Sequence, residues 1–195
     1  MKIAFSVEGG TDDLYHCIPH REGDVEDFII KNLQNGDVFI DIGANVGYYT
    51  LLGSKIVGET GHVFAIEPVP QTVKVLKLNV SLNGFKNITV IDKAAWCVSN
   101  LVKLKVPRKE FGFASVFCKE GAEIYAEAMP LDSMLMNLID DTTHISLIKI
   151  DVEGAEYEVL LGAKEILKRT HFLVIELTRK VKECLRILQE CGFEF

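Results

Sequence analysis

Five short apolar runs in this chain each stop at an acidic residue, and short helical stretches separate most of them. The runs are Val38–Ile40 before Asp41, His62–Ile66 before Glu67, Ile88–Ile91 before Asp92, His144–Ile150 before Asp151, and Phe172–Ile175 before Glu176. Apolar runs of this length, rich in Val and Ile and bracketed by turn residues, read as strands buried on both faces. Between them, segments at Gly47–Val57, Thr72–Leu82 and Gly154–Lys168 carry helical spacing, and Val181–Glu190 follows the last run. Strand and helix alternating through short links predict a Rossmann-like, doubly wound α/β fold with a mostly parallel sheet. In such a sheet the carboxyl ends of the strands form the ligand-binding edge, so the five acids predict a negatively charged rim there.

The most informative link is Asp41-Ile-Gly-Ala-Asn-Val-Gly-Tyr-Tyr-Thr50, where a strand passes into a helix through small residues. Backbone N–H groups, a helix N-terminus and a carboxylate converge at such a turn, which suits a small charged ligand. The P-loop pattern is absent, and the dinucleotide pattern would need glycine where Asn45 and Tyr48 stand. Asn45 adopts the left-handed conformation more readily than most non-glycine residues. Gly43 and Gly47 allow close backbone approach, and Asp41 suits an α-amino group. Glu67, one strand over, stands where an acid holds ribose hydroxyls. That feature fits NAD and S-adenosylmethionine equally; the loop favours the second.

The remaining segments are less specific. At 195 residues the chain reads as one domain: a cap segment 1–35, a cofactor-binding half 36–92, a β insertion 93–130 and a second half of the sheet 131–195. Asp24–Leu33 reads as an amphipathic helix, with Val25, Phe28, Ile29 and Leu33 at helical spacing. Leu101–Val106, Phe113–Cys118 and Glu123–Met129 read as short antiparallel strands, and Pro130–Leu138 as a helix. Phe193–Phe195 can only begin a sixth strand, so either the sheet is short by a strand, with a homodimer as one consequence, or another subunit or the N-terminal segment covers that edge; the shortened sheet is the expectation.

A net charge of -7 argues against nucleic acid as partner. Lys103, Lys105, Arg108 and Lys109 read as a solvated strand face. Five widely spaced cysteines without a Cys-x-x-Cys pair indicate a reduced, cytoplasmic protein, and no apolar run is long enough for a membrane span. His16, Cys17 and His20 stand alone without a second cluster, which makes a poor zinc site.

Asp41–Thr50, Glu67-Pro68, Leu78-Asn79, Leu82-Asn83-Gly84, Leu131-Asp132-Ser133 and Ile148-Lys-Ile-Asp-Val-Glu-Gly-Ala-Glu156 together resemble the FkbM-type methyltransferases. The likeness runs in order from about Gly36 to Leu177, and its last segment is the most specific. It implies a class I fold, S-adenosylmethionine as cofactor, and O-methylation of a small molecule or glycan. By position, it implies that Asp41, Gly43, Asn45, Gly47 and Tyr48 or Tyr49 surround the methionine part. Glu67 then takes the ribose, Asp92 to Ala94 lie by the adenine, and Asp151 and Glu153 sit beside the sulfonium and the acceptor. Asp151 is the first candidate for base or acceptor-orienting group, with Glu176 assisting it. Neighbouring carboxylates of this kind can hold Mg²⁺; the reading prefers a site without metal. Glu156 and Glu158 read as first-turn acids that complement the helix dipole. An NAD-dependent oxidoreductase and a non-catalytic cofactor-binding subunit are the alternatives.

Overall fold

The computed structural model describes residues 23–106 and 121–195. Five parallel strands form the central sheet: β1 (Val38–Ile42), β2 (His62–Ile66), β3 (Ile88–Ile91), β7 (Ile145–Ile150) and β8 (Thr170–Ile175), in the order β3-β2-β1-β7-β8. The chain winds outward from β1 to β3, then returns to lay β7 on the other side of β1. The strand order therefore reverses between β1 and β7, and a ligand crevice is expected above that pair.

Alternation along each strand sends side chains into two helical layers. Phe39, Val63 and Leu147 pack with Ile29 of α1 (Gly23–Asn32), with Leu33 just past its end, and with Tyr49, Leu52 and Val57 of α2 (Tyr48–Val57). On the same side Ala65 meets Leu76 of α3 (Pro70–Asn83). Ile40, Ile42, Phe64, Ile66, Ile148 and Ile150 face the other layer. That layer holds α4 (Leu131–Leu135), α5 (Glu156–Leu161), α6 (Lys164–Lys168) and α7 (Val181–Glu190). Each buried Leu or Ile contributes about 1.5–3 kcal/mol of transfer free energy, so these two seams fix the register of every strand.

A second sheet, β4-β6-β5, is made by β4 (Ala94–Ala95), β5 (Asn100–Val106) and β6 (Ala122–Met129). Strands β5 and β6 pair antiparallel, as expected. The expected strand at Phe113–Cys118 lies outside the described residues.

Several boundaries differ from the sequence expectation. Strand β1 does not stop at Asp41 but runs on through Ile42, because Asp41 and Ile42 still pair with Ala65 and Ile66. The helix expected over Gly154–Lys168 is two short helices, broken at Gly162-Ala163 where the Gly162 carbonyl turns to accept the Asp132 N–H. The helix expected over Pro130–Leu138 keeps only Leu131–Leu135. Ala94 opens β4 and pairs with Ala128. Among the described residues no helix is long and apolar enough to cross a membrane, and Cys97, Cys184 and Cys191 are free thiols.

Candidate active site

The turn after β1 is pinned from three sides. Gly43 and Ala44 donate their N–H groups to the Ile66 carbonyl at 2.9 and 3.0 Å, tying the loop to the end of β2. Asn79 on α3 donates to the Val46 carbonyl at 2.8 Å. Asn45 donates its N–H to Oε2 of Glu67 at 3.0 Å, and Val69 donates to Oε1 at 3.0 Å. Asn45 takes φ 50°, as its side chain type allows.

The two loop glycines are required by the protein's own packing. A Cβ on Gly43, at φ +79°, would stand 1.8 Å from the Asp151 carbonyl oxygen. A Cβ on Gly47, at φ +99°, would stand 2.5 Å from Cδ1 of Leu76. At Gly43 the obstacle is backbone and cannot step aside; at Gly47 it is the end of a flexible side chain, and the positive φ is what demands glycine.

Asp41 is buried, and its Oδ2 accepts the Thr50 hydroxyl at 2.6 Å from the first turn of α2. Its Oδ1 is buried with no donor. Burial holds the Asp41 carboxyl above its usual range, against the opposing field of Lys149 and the Thr50 hydrogen bond. Glu67 is buried too; burial pushes it up to about 7 although both backbone N–H groups favour the ionised form.

Across the switch point, Asp151 follows β7 and donates its N–H to the Ile42 carbonyl at 3.0 Å. Its side chain is 32% exposed, with Oδ2 3.0 Å from the ammonium of Lys149. Glu153 sits at φ 49° and is half-buried. Burial, then the charges of Asp151, Glu176 and Glu156, push its carboxyl up to about 7. Asp151, Glu153 and Glu176 thus form one electrostatic neighbourhood.

Two expected residues make side-chain contacts of their own. The Asp92 side chain is 66% exposed and 3.7 Å from Lys77, so it stands outside this cluster. The Tyr48 hydroxyl points to α1 and donates to Glu26 at 2.7 Å, leaving its backbone to the loop.

Glu156 is more than a first-turn acid. It is buried, its Oε1 accepts the Gly154 N–H at 2.6 Å and its Oε2 accepts the Thr178 hydroxyl at 2.9 Å. Arg179 adds a hydrogen bond to the Gly154 carbonyl at 2.8 Å. The segment after β8 therefore clamps the loop that carries Glu153. Asn79 and Lys149 were also missed. Both lie in motif segments, and a charged residue inside an otherwise apolar strand was the signal for Lys149.

The site fits a nucleoside-linked amino acid. The orphaned Oδ1 of Asp41 is an acceptor lacking a donor, and each Glu67 oxygen uses only one of its lone pairs on a backbone N–H. A groove of about 610 Å³, lined by Lys31, Asp37, His144, Arg169 and His171 among others, opens at the opposite end of the strands, away from the acids. Among the described residues no group of three or more His, Cys, Asp or Glu is arranged to hold a metal ion.

Comparison with known proteins gives the family and the fold. The family model described as the methyltransferase FkbM domain matches residues 41–195. A protein-L-isoaspartate O-methyltransferase of Fervidobacterium nodosum is 34% identical over 73 residues, which is 37% of this chain and 36% of that protein. The match spans about a third of the length of this and similar curated relatives. A precorrin-6y C5,15-methyltransferase from Geobacter metallireducens superposes with a TM-score of 0.55 at 18% identity, covering 98% of this chain and 78% of that one. Aeropyrum pernix fibrillarin, solved with natively bound S-adenosyl-L-methionine, gives a TM-score of 0.52 at 15% identity over 84% and 60% of the two chains. At these identities the two structures show a shared fold.

Proposed function

Because the chain belongs to the methyltransferase FkbM domain family, whose cofactor is S-adenosylmethionine, we propose that it methylates a hydroxyl oxygen of a small molecule or glycan. When bound, the cofactor supplies a methyl group already activated by a cationic sulfur. The protein's work is then alignment and proton removal.

Asp41 offers its unpaired Oδ1 to an ammonium, and Glu67 offers the free lone pairs of both oxygens to a pair of hydroxyls. Gly43, Asn45 and Gly47 hold the loop in the left-handed turns that shape this cradle. These five residues lie on the β1–β2 side of the switch point, and the second set of carboxylates lies on the β7–β8 side.

The observation that carries the proposal is Glu153, whose carboxyl is held at about 7 beside Asp151 and Glu176. A base with that proton affinity is half ionised at neutral pH and takes a hydroxyl proton efficiently in the transition state. Asp151, anchored by Lys149, directs its remaining oxygen to orient the acceptor. The sequence put Asp151 first for the base; the raised proton affinity of Glu153, due to burial first and then to the charges of Asp151 and Glu176, favours Glu153 for proton removal and leaves Asp151 for alignment.

The test is transfer of an isotopically labelled methyl group from S-adenosylmethionine to components of a cell extract, read by mass spectrometry. A base-stable methyl ether on a small molecule or glycan is expected. Glu153→Gln should slow transfer about a hundredfold or more while the cofactor still binds. Label found in a base-labile ester or an amine, or undiminished transfer by E153Q, overturns the proposal.

A further inference from the structure

Lys149 is the residue of the site that its acids do not explain. It is the penultimate residue of β7 and 4% exposed, although lysine is almost never fully buried unless paired. Desolvating an ammonium costs several kcal/mol, so its partners must offset that loss. They come from three elements. Asp151, just beyond the strand, accepts from Nζ at 3.0 Å. The Tyr49 ring on α2 lies with its centroid 4.9 Å from Nζ, within cation–π range. Asp41 on β1 is its register neighbour and feels its field. Glu153 feels the same field from the loop beyond Asp151, together with the opposing charges of Glu176 after β8 and Glu156 on α5.

One ammonium therefore stands at the switch point between the two halves of the site. Its field reaches Asp41 in the cradle for the methyl donor, and its hydrogen bond holds Asp151 among the acceptor carboxylates. A hydrophobic residue would pack this strand more cheaply, and replacing a buried ion pair by apolar groups is often neutral or stabilising. Burial alone gives no reason for a lysine here.

We propose that Lys149 is a positioning residue for methyl transfer: its buried ammonium orients the Asp151 carboxylate and balances the negative charge of the donor and acceptor subsites. The proposal rests on the functional reading above for the meaning of those subsites. Two consequences separate it from a packing role. Without the ammonium, Glu153 loses a field that favours its charged form and binds its proton more tightly. The cavity also becomes more negative, which favours the sulfonium of S-adenosylmethionine over the neutral sulfur of S-adenosylhomocysteine.

The experiment compares the full chain with its Lys149→Met, Lys149→Gln and Lys149→Arg variants. Carboxyl-carbon NMR follows Glu153, assigned by its loss in E153Q, and calorimetry gives the affinities for S-adenosylmethionine and S-adenosylhomocysteine. In K149M and K149Q the Glu153 midpoint should rise, and the donor-to-product affinity ratio should rise about threefold or more. K149R should leave both readings unchanged. An unmoved Glu153 midpoint and ratio in a folded K149M or K149Q overturns the proposal. So does the failure of both uncharged variants to fold while K149R folds, because the charge would then serve the fold. If the unmodified chain binds neither ligand, the functional reading falls, and the Glu153 titration still decides the role of Lys149.

Discussion

Gly43 and Asp151 are in backbone contact across the switch point: a methyl group on Gly43 would lie 1.8 Å from the Asp151 carbonyl oxygen. The β1 loop and the strand end that carries Asp151 are therefore fitted to each other through main chain. Gly43→Ala has to push β7 away from β1 and also hold alanine at φ +79°. Overpacking costs about 1–3 kcal/mol and left-handed strain about 1–2 kcal/mol more. The variant should lose about 3 kcal/mol in urea unfolding and bind S-adenosylmethionine at least tenfold more weakly. A G43A protein of native stability and affinity would show that the two segments move independently.

Glu67 gives the domain a pH dependence of unusual sign. Its carboxyl ionises near 7 in the folded protein, against an ordinary value of 4.5. Between those two values the folded state holds the proton that the unfolded state has released, so this group's contribution to stability falls as pH rises from about 4.5 through 7. For a fully buried group the difference is on the order of 3 kcal/mol. Glu67→Gln removes the dependence, so urea unfolding at pH 5 and pH 8 should show E67Q gaining on the unsubstituted chain at the higher pH. A constant difference between the two proteins would contradict it. The ionised form is the one able to accept two ribose hydroxyls, so the cofactor should raise Tm more at pH 8 than at pH 6.

Asn45 is a conformational residue. At φ 50° an alanine costs about 1 kcal/mol and a glycine costs nothing in strain. Asn45→Gly should match the unsubstituted chain within about 0.5 kcal/mol and keep cofactor affinity within threefold. Asn45→Ala should lose about 1 kcal/mol. Equal loss in both would assign the asparagine side chain a contact of its own.

Glu156 and Thr178 act as a clasp on the Glu153 loop. Replacing either removes a hydrogen bond to a buried charged group, worth about 1.5–3 kcal/mol. Glu156→Gln and Thr178→Val should each destabilise by about 2 kcal/mol, and the double variant should lose clearly less than the two combined. Full additivity in urea unfolding would mean that the contact carries no coupling.

The strand pattern, the layer order and the loop conformation were legible because each follows from local rules. Apolar runs of Val and Ile make buried parallel strands, and Asn45 is the residue type a left-handed turn accepts. The acids were less legible. Asp41, Asp92 and Asp151 all come at or near the end of an apolar run, yet one is buried under Thr50, one stands in water beside Lys77, and one is tied to a lysine. Strand-end position fixes which edge an acid occupies; its environment depends on residues far away in sequence. Gly43 and Gly47 show the same limit from the other side. Their spacing suggested room for a ligand, while their tightest neighbours are Asp151 and Leu76, which no local pattern announces.

The pairing of β1 with β7 has a consequence for how the domain is built. Ile40 and Ile148 are register partners although more than a hundred residues separate them, and β2, β3 and the second sheet intervene. Closing so long a loop costs entropy before the strand pair returns any contact, which makes parallel pairing of this kind slow. During synthesis the β1 loop, Glu67 and α3 emerge well before Lys149 and Asp151. The half-made domain owns a donor cradle with no floor beneath Gly43. A ligand that binds only the finished site stabilises every strand in it at once.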